Sequence, residues 1–322
     1  MHDLGWLALA ILAAYGCAIL APSWPFWLGR RAGAFVGACI APLILAFPLL
    51  IPPSKVGLRA GAMFVAGELF FKMIEALRHE RRGAEPLSLR DYYAFLVPLP
   101  VLAAVYPDHK RRLTQRENPI PNLLRLVGGG VGAAVAVFAL LASSKLDAIR
   151  ASFTLNHVVM LLAFTLAIAS ISRALHGLER LAGFDTRPII SHAFLSRSVA
   201  EFWQRYNYRI HDWIYQNVFL QVGGRRHPAR GVLLAFFVSG VFHELTFALA
   251  TSRWTGYQLA FFTLQGPAAI ATGHLAKSAG VAGRIAARAC TLFFLALTSV
   301  LFFDGVASIF PFIYVSRSPL PW

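Results

Sequence analysis

The stretch "FFVSGVFHELTFALA", Phe236 to Ala250, is apolar around the whole circumference of a helix except at His243 and Glu244, with Ser239 one turn before them. A helix that is hydrophobic all round belongs inside a bilayer or a large core. The surrounding run, 231–251, reaches the roughly 20 residues that a helix needs to cross the hydrocarbon layer. An imidazole and a carboxylate in the middle of such a run are costly to desolvate. They face a protein interior or a water-filled cavity, and they mark function by default. One stretch therefore predicts both a membrane-spanning helix and a polar site within it.

The rest of the chain follows the same pattern. It has 322 residues, 57% of them hydrophobic and only 14% charged, with a mean hydropathy of +0.59. Soluble domains carry roughly 25% charged residues. Apolar runs of spanning length recur at 4–22, 33–51, 57–76, 126–142, 156–173, 231–251, 256–273 and 289–312. These define an all-α polytopic membrane protein, because backbone polar groups in lipid must be satisfied within helices. The size fits a single membrane-embedded domain over 1–322, a bundle of about 8–9 transmembrane helices.

The net charge is +15, from 30 Lys and Arg against 15 Asp and Glu. The basic residues lie mainly between the apolar runs, so they read as cytoplasmic loops and not as a nucleic-acid surface. Such loops attract anionic lipid headgroups and anionic substrates. The run 93–106 is short and holds Pro98 and Pro100. Treating it as re-entrant or interfacial divides the basic residues more cleanly between the two sides, with the N-terminus outside. The positions after Met1 lack a basic n-region, so 4–22 reads as a retained helix. Cys17, Cys39 and Cys290 lie in apolar runs and provide neither a disulfide framework nor metal spacing.

The segment 174–230 reads as a cytoplasmic loop with structure of its own. Val199, Phe202, Trp203, Tyr206, Ile210, Trp213, Ile214 and Val218 form an i, i+3, i+4 stripe, predicting an amphipathic interfacial helix over about 198–218. Ser198 and Glu201 have capping-box spacing. Trp203, Asn207 and His211 fall at i, i+4 and i+8, on one face of that helix. By spacing alone Asn207 and His211 fit an interfacial polar pair as well as a site. His243, too, fits either a structural histidine bonded across helices or a general base. A neutral imidazole suits general-base work near pH 7.

Other chemistry drops out. "HELTF" has Phe247 where a zinc-protease motif needs its second histidine, and no metal ligand set is expected. "GGGVG", Gly128 to Gly132, is followed by Ala133, so it is no dinucleotide fingerprint; it reads as a helix-packing surface. No nucleophile elbow or phosphate-binding loop occurs. Glu68 and Lys72 read as an ion pair within a span, and Asp304, His157 and His274 as solvated positions near span ends.

Two segments together resemble the membrane-bound O-acyltransferase family, in particular its branch of wax synthases, sterol acyltransferases and diacylglycerol acyltransferases. The first is Leu195-Ser196-Arg197-Ser198, then Phe202-Trp203-Gln204-Arg205-Tyr206-Asn207, then His211 and Trp213. The second is Ser239 through His243-Glu244 in an apolar helix. Tyr206 stands where that family often has Trp, and Arg209 where it often has Pro. The match covers 187–250, about a fifth of the chain.

The resemblance implies transfer of a fatty acyl group from acyl-CoA to the hydroxyl of a lipophilic acceptor, as a wax-ester synthase does. His243 would be the general base, and Asn207 would bind the oxyanion or position the thioester. Trp203, His211, Ser239 and Glu244 would shape the substrate site. Arg205 and Arg209 would steer the CoA phosphates. No cofactor is implied beyond acyl-CoA as co-substrate; the partners are acyl-CoA, a hydrophobic alcohol and membrane lipids. The acceptor class stays open, with a sterol, diacylglycerol, sugar or specialised metabolite as alternatives, and so does oligomeric state. A proton-coupled transporter using His243 and Glu244 is the reading from another class. Composition points to a bacterial inner membrane.

Overall fold

The computed structural model describes residues 3–20, 30–79, 88–96, 117–277, 280–316 and 318–320. Among these residues the fold is all helix, connected by turns. The expected re-entrant segment 93–106 lies outside the described residues beyond Leu96. The chain divides into two compact units.

The first unit comprises Met1–Lys110 and Glu244–Thr255. It contains α1 (Asp3–Leu20), α2 (Arg30–Ile44), α3 (Val56–His79) and α4 (Leu89–Leu96). The expected span 33–51 ends early: Pro42 lies within α2, and after Ile44 the chain turns into a 3-10 segment, Phe47–Leu50. Proline removes a helical N–H and clashes with the preceding turn. The expected span 57–76 falls within the 24 residues of α3, which bury Arg59, Glu68, Lys72 and Glu75. Lys72 Nζ donates to the carbonyls of Phe95 and Leu96, capping the end of α4. Arg59 donates to the Ile51 and Leu249 carbonyls and to Ser252 Oγ.

The second unit, Arg111–His243 with Gly256–Trp322, carries the candidate site. Its long helices are α5 (Pro119–Ser143), α6 (Phe153–Leu181), α9 (Pro228–Thr251, shared with the first unit after His243), α10 (Tyr257–Thr272) and α11 (Val281–Ile309). Two short helices, α7 (Val199–Tyr206) and α8 (Tyr208–Ile214), lie between α6 and α9. Helix α6 runs eight residues past the point where the loop was expected to begin. α5 and α6 pack closely: a Cβ on Gly129 would stand 2.5 Å from the Ser170 carbonyl oxygen, and one on Gly177 would stand 2.5 Å from that of Asn122. The glycine run is therefore a packing surface, as its sequence implied.

Five helices among the described residues are long and apolar enough to cross a membrane: α1, α5, α6, α9 and α11. This is a multi-pass membrane protein. Helix α10 covers the expected span 256–273 but has only 16 residues, with Pro267 inside it. Asp304 and His157, read from sequence as solvated, are buried at 0% and 8% exposure.

Candidate active site

The helix expected over 198–218 is interrupted. Ser198 Oγ accepts from the Glu201 N–H, and the Glu201 carboxylate accepts from the Arg197 N–H, which starts α7 where the capping spacing predicted. At Asn207 the backbone leaves the helical region, with φ −149° and ψ 83°. Asn207 Oδ1 then accepts from the Ile210 N–H at 3.2 Å and starts α8. A π turn, Tyr215–Phe219, follows. Because of the break at Asn207, Trp203, Asn207 and His211 do not share one helix face.

Trp203 turns into the second unit. Its Nε1–H donates to Gln265 Oε1 on α10, and Gln265 Nε2 donates to Thr298 Oγ1 on α11 and to the Phe261 carbonyl. Gln265 is fully buried. The indole ring packs among Phe202, Tyr206, Phe236, Phe261 and Phe262.

His243 enters the same cluster from α9. Its ring stacks on Phe262, with centroids 4.0 Å apart and planes 30° apart, and Phe302 of α11 stands at 6.5 Å. Trp203 lies 5.5 Å from that same Phe262 ring. His243 Nδ1 is 2.8 Å from the Ser239 carbonyl oxygen. A carbonyl only accepts, so Nδ1 carries the proton and the neutral ring keeps its lone pair on Nε2. Ser239 supplies this bond through its backbone carbonyl, one helical turn earlier. At His157, Nε2–H donates to the Ala296 carbonyl and Nδ1 accepts from the Tyr314 hydroxyl.

The remaining sequence candidates go elsewhere. Glu244, 1% exposed, accepts from the N–H and hydroxyl of Thr255 and so ties down the turn after α9. His211 stacks on Tyr215, with Nδ1 3.3 Å from Asp212. Arg205 pairs with Glu201 one turn earlier. Arg209 requires a correction. It is 3% exposed and forms a two-pronged pair with Glu179 at 2.9 and 2.7 Å, so it is closed to CoA phosphates. Burial works against the charged guanidinium, but the Glu179 carboxylate more than offsets it and holds the Arg209 pKa above its usual range. Phe262, Gln265 and Phe302 were not singled out from the sequence. The signal for Gln265, an amide within an otherwise apolar run, was present; two phenylalanines among 26 carried none.

The fold and this cluster define a class: a multi-pass helical membrane protein with a histidine and a tryptophan converging on one aromatic wall. Residues 136–269 match the model of MBOAT, the membrane-bound O-acyltransferase family. Diacylglycerol O-acyltransferase 1C of Glycine max is 28% identical over 99 residues, 30% of this chain and 19% of that protein. Diacylglycerol O-acyltransferase 1 of Arabidopsis thaliana is 25% identical over 104 residues, 32% of this chain and 20% of that protein. The probable alginate O-acetylase AlgI of Pseudomonas aeruginosa is 26% identical over 89 residues, 26% of this chain and 17% of that protein. The matched stretch spans about a fifth of each of these relatives.

Proposed function

We propose that the protein is an O-acyltransferase that moves an acyl group from acyl-CoA to the hydroxyl of a lipophilic acceptor, with His243 as general base. The observation that carries this reading is the Nδ1–H bond from His243 to the Ser239 carbonyl, which leaves the basic lone pair on Nε2. The acceptor oxygen attacks the thioester carbonyl carbon while its proton passes to Nε2. The C–S bond then breaks, and the departing thiolate takes that proton and leaves as free CoA. No protein nucleophile is required, so transfer is direct.

Asn207 supplies the amide that steadies the developing oxyanion. Its Oδ1 caps α8, which fixes the rotamer and directs its N–H donors away from the cap. Trp203, held by Gln265, bounds the acyl side of the site. Glu244 acts by positioning, through the turn at Thr255.

Within this chemistry the acceptor is a hydrophobic alcohol, as the resemblance to wax synthases implied. Likeness to diacylglycerol acyltransferases favours a lipid hydroxyl, and likeness to an alginate O-acetylase keeps a sugar hydroxyl as the second acceptor class. The purified protein, given labelled acyl-CoA and a panel of long-chain alcohols, diacylglycerol, sterol and sugars, will release CoA and form ester with at least one acceptor. Absence of acyl-CoA consumption with every acceptor rejects the activity.

A further inference from the structure

A polar cavity of about 530 Å³ opens where α5 begins and α6 ends, apart from the His243 cluster. Glu117, Asn122, Arg125, Arg180 and Arg187 line it. Asn122, only 2% exposed, organises one wall: its Nδ2 donates to Glu117, and its Oδ1 accepts from Arg125. The close approach of the two helices at Gly177 fixes that wall against α6.

The charges divide into committed and open groups. Arg180 holds both Glu117 and Asp185. Its hydrogen bond keeps the Glu117 carboxyl below the usual carboxylate range, so Glu117 stays ionised and engaged. Glu179 and Arg209 are closed on each other. Arg125 and Arg187 are different. Among the described residues, the hydrogen bond of Arg125 goes to the neutral Asn122 amide, through one of its five N–H groups, and the Glu117 carboxylate held by Arg180 lies within its electrostatic reach. The Arg187 guanidinium carbon stands over the Tyr208 ring, 3.8 Å from its centroid. Asp212 is 3.7 Å away, beyond hydrogen-bond reach, and the Arg187 side chain is 66% exposed. Two guanidinium forks with unfilled donors therefore face one rigid cavity. Nearby carboxylates balance the net field, so attraction comes from fork geometry at short range. That geometry fits tetrahedral phosphate oxygens.

We infer that this cavity binds a phosphate group through Arg125 and Arg187, supplied by a phospholipid headgroup or by free phosphate. The two sources share one chemistry. A headgroup suits the location, at the ends of two membrane-spanning helices with Arg125, Arg180 and Arg187 in its lining.

Native mass spectrometry of the full chain in detergent, with phosphatidylglycerol or the phosphate-free galactosyl diacylglycerol, tests this. Phosphatidylglycerol is expected to bind at least about tenfold more tightly than the galactolipid. Arg125→Ala and Arg187→Ala should each lose about tenfold of that binding. Arg284→Ala, at an exposed position on α11, should lose none. Arg187 is exposed enough for its variant to fold, and Arg125→Lys keeps the charge if Arg125→Ala does not. Millimolar inorganic phosphate that displaces the lipid and binds equally well alone assigns the site to the soluble source. Equal binding of the two lipids, or full phosphatidylglycerol and phosphate binding by both alanine variants, overturns the inference.

Discussion

The imidazole of His243 and the ring of Phe262 lie face to face, 4.0 Å between centroids, across the contact between α9 and α10. The stack fixes the plane of the imidazole, and the bond to Ser239 fixes its rotation. A ring held in two ways presents its Nε2 in one direction, as the proposed proton transfer requires. Phe262→Leu keeps the volume apolar but removes the flat surface. Turnover should fall about tenfold with the KM for acyl-CoA nearly unchanged; an unchanged turnover number would show that the stack does not orient the base.

Gln265 joins α7, α10 and α11 through Trp203 and Thr298. Gln265→Leu strands the indole N–H in an apolar surrounding, while the Thr298 hydroxyl keeps its bond to the Phe294 carbonyl. The expected cost is about 1–3 kcal/mol for the buried group left unpaired, read as a lower thermal unfolding midpoint in detergent. Activity should fall more than stability alone explains, because Trp203 is freed to turn.

Arg209 and Glu179 form a buried pair, and removing one partner leaves a buried charge. Arg209→Met or Glu179→Leu alone should destabilise by about 3–5 kcal/mol, and the double variant should recover most of that. The folded double variant should keep its acyl-CoA KM within about twofold. A large rise in KM would restore the CoA-steering role that the sequence suggested for Arg209.

Neighbouring glycines in one run should behave oppositely. A Cβ on Gly129 meets the α6 backbone, whereas one on Gly130 meets nothing within 4 Å. Gly129→Ala should lower the unfolding midpoint by several degrees. Gly130→Ala should leave it unchanged or raise it slightly, since alanine favours helix by about 1 kcal/mol. Equal effects at the two positions would contradict the α5–α6 packing.

Sequence carried the membrane class because long apolar runs have no other stable home, and it carried the start of α7 because Ser198 and Glu201 cap locally. It placed His243 because a titratable group inside such a run is conspicuous. The break at Asn207 was not legible: the apolar stripe continues through it at helical period, and only the structure shows the side chain turning back to cap α8. The partners of Arg209 and Trp203 were equally hidden, lying 30 and 62 positions away. The shortening of α2 was legible in part, since Pro42 lies within the run that was read as a span.

In the proposed reaction Nε2 of His243 takes the acceptor proton. The direct measurement is steady-state ester formation from labelled acyl-CoA by the parent, His243→Ala and Asn207→Ala, each verified as folded by its unfolding midpoint. The account predicts that His243→Ala loses about 10²–10⁴-fold in kcat with little change in acyl-CoA binding, and that Asn207→Ala loses less. A folded His243→Ala variant that makes ester at the parent's rate would contradict it.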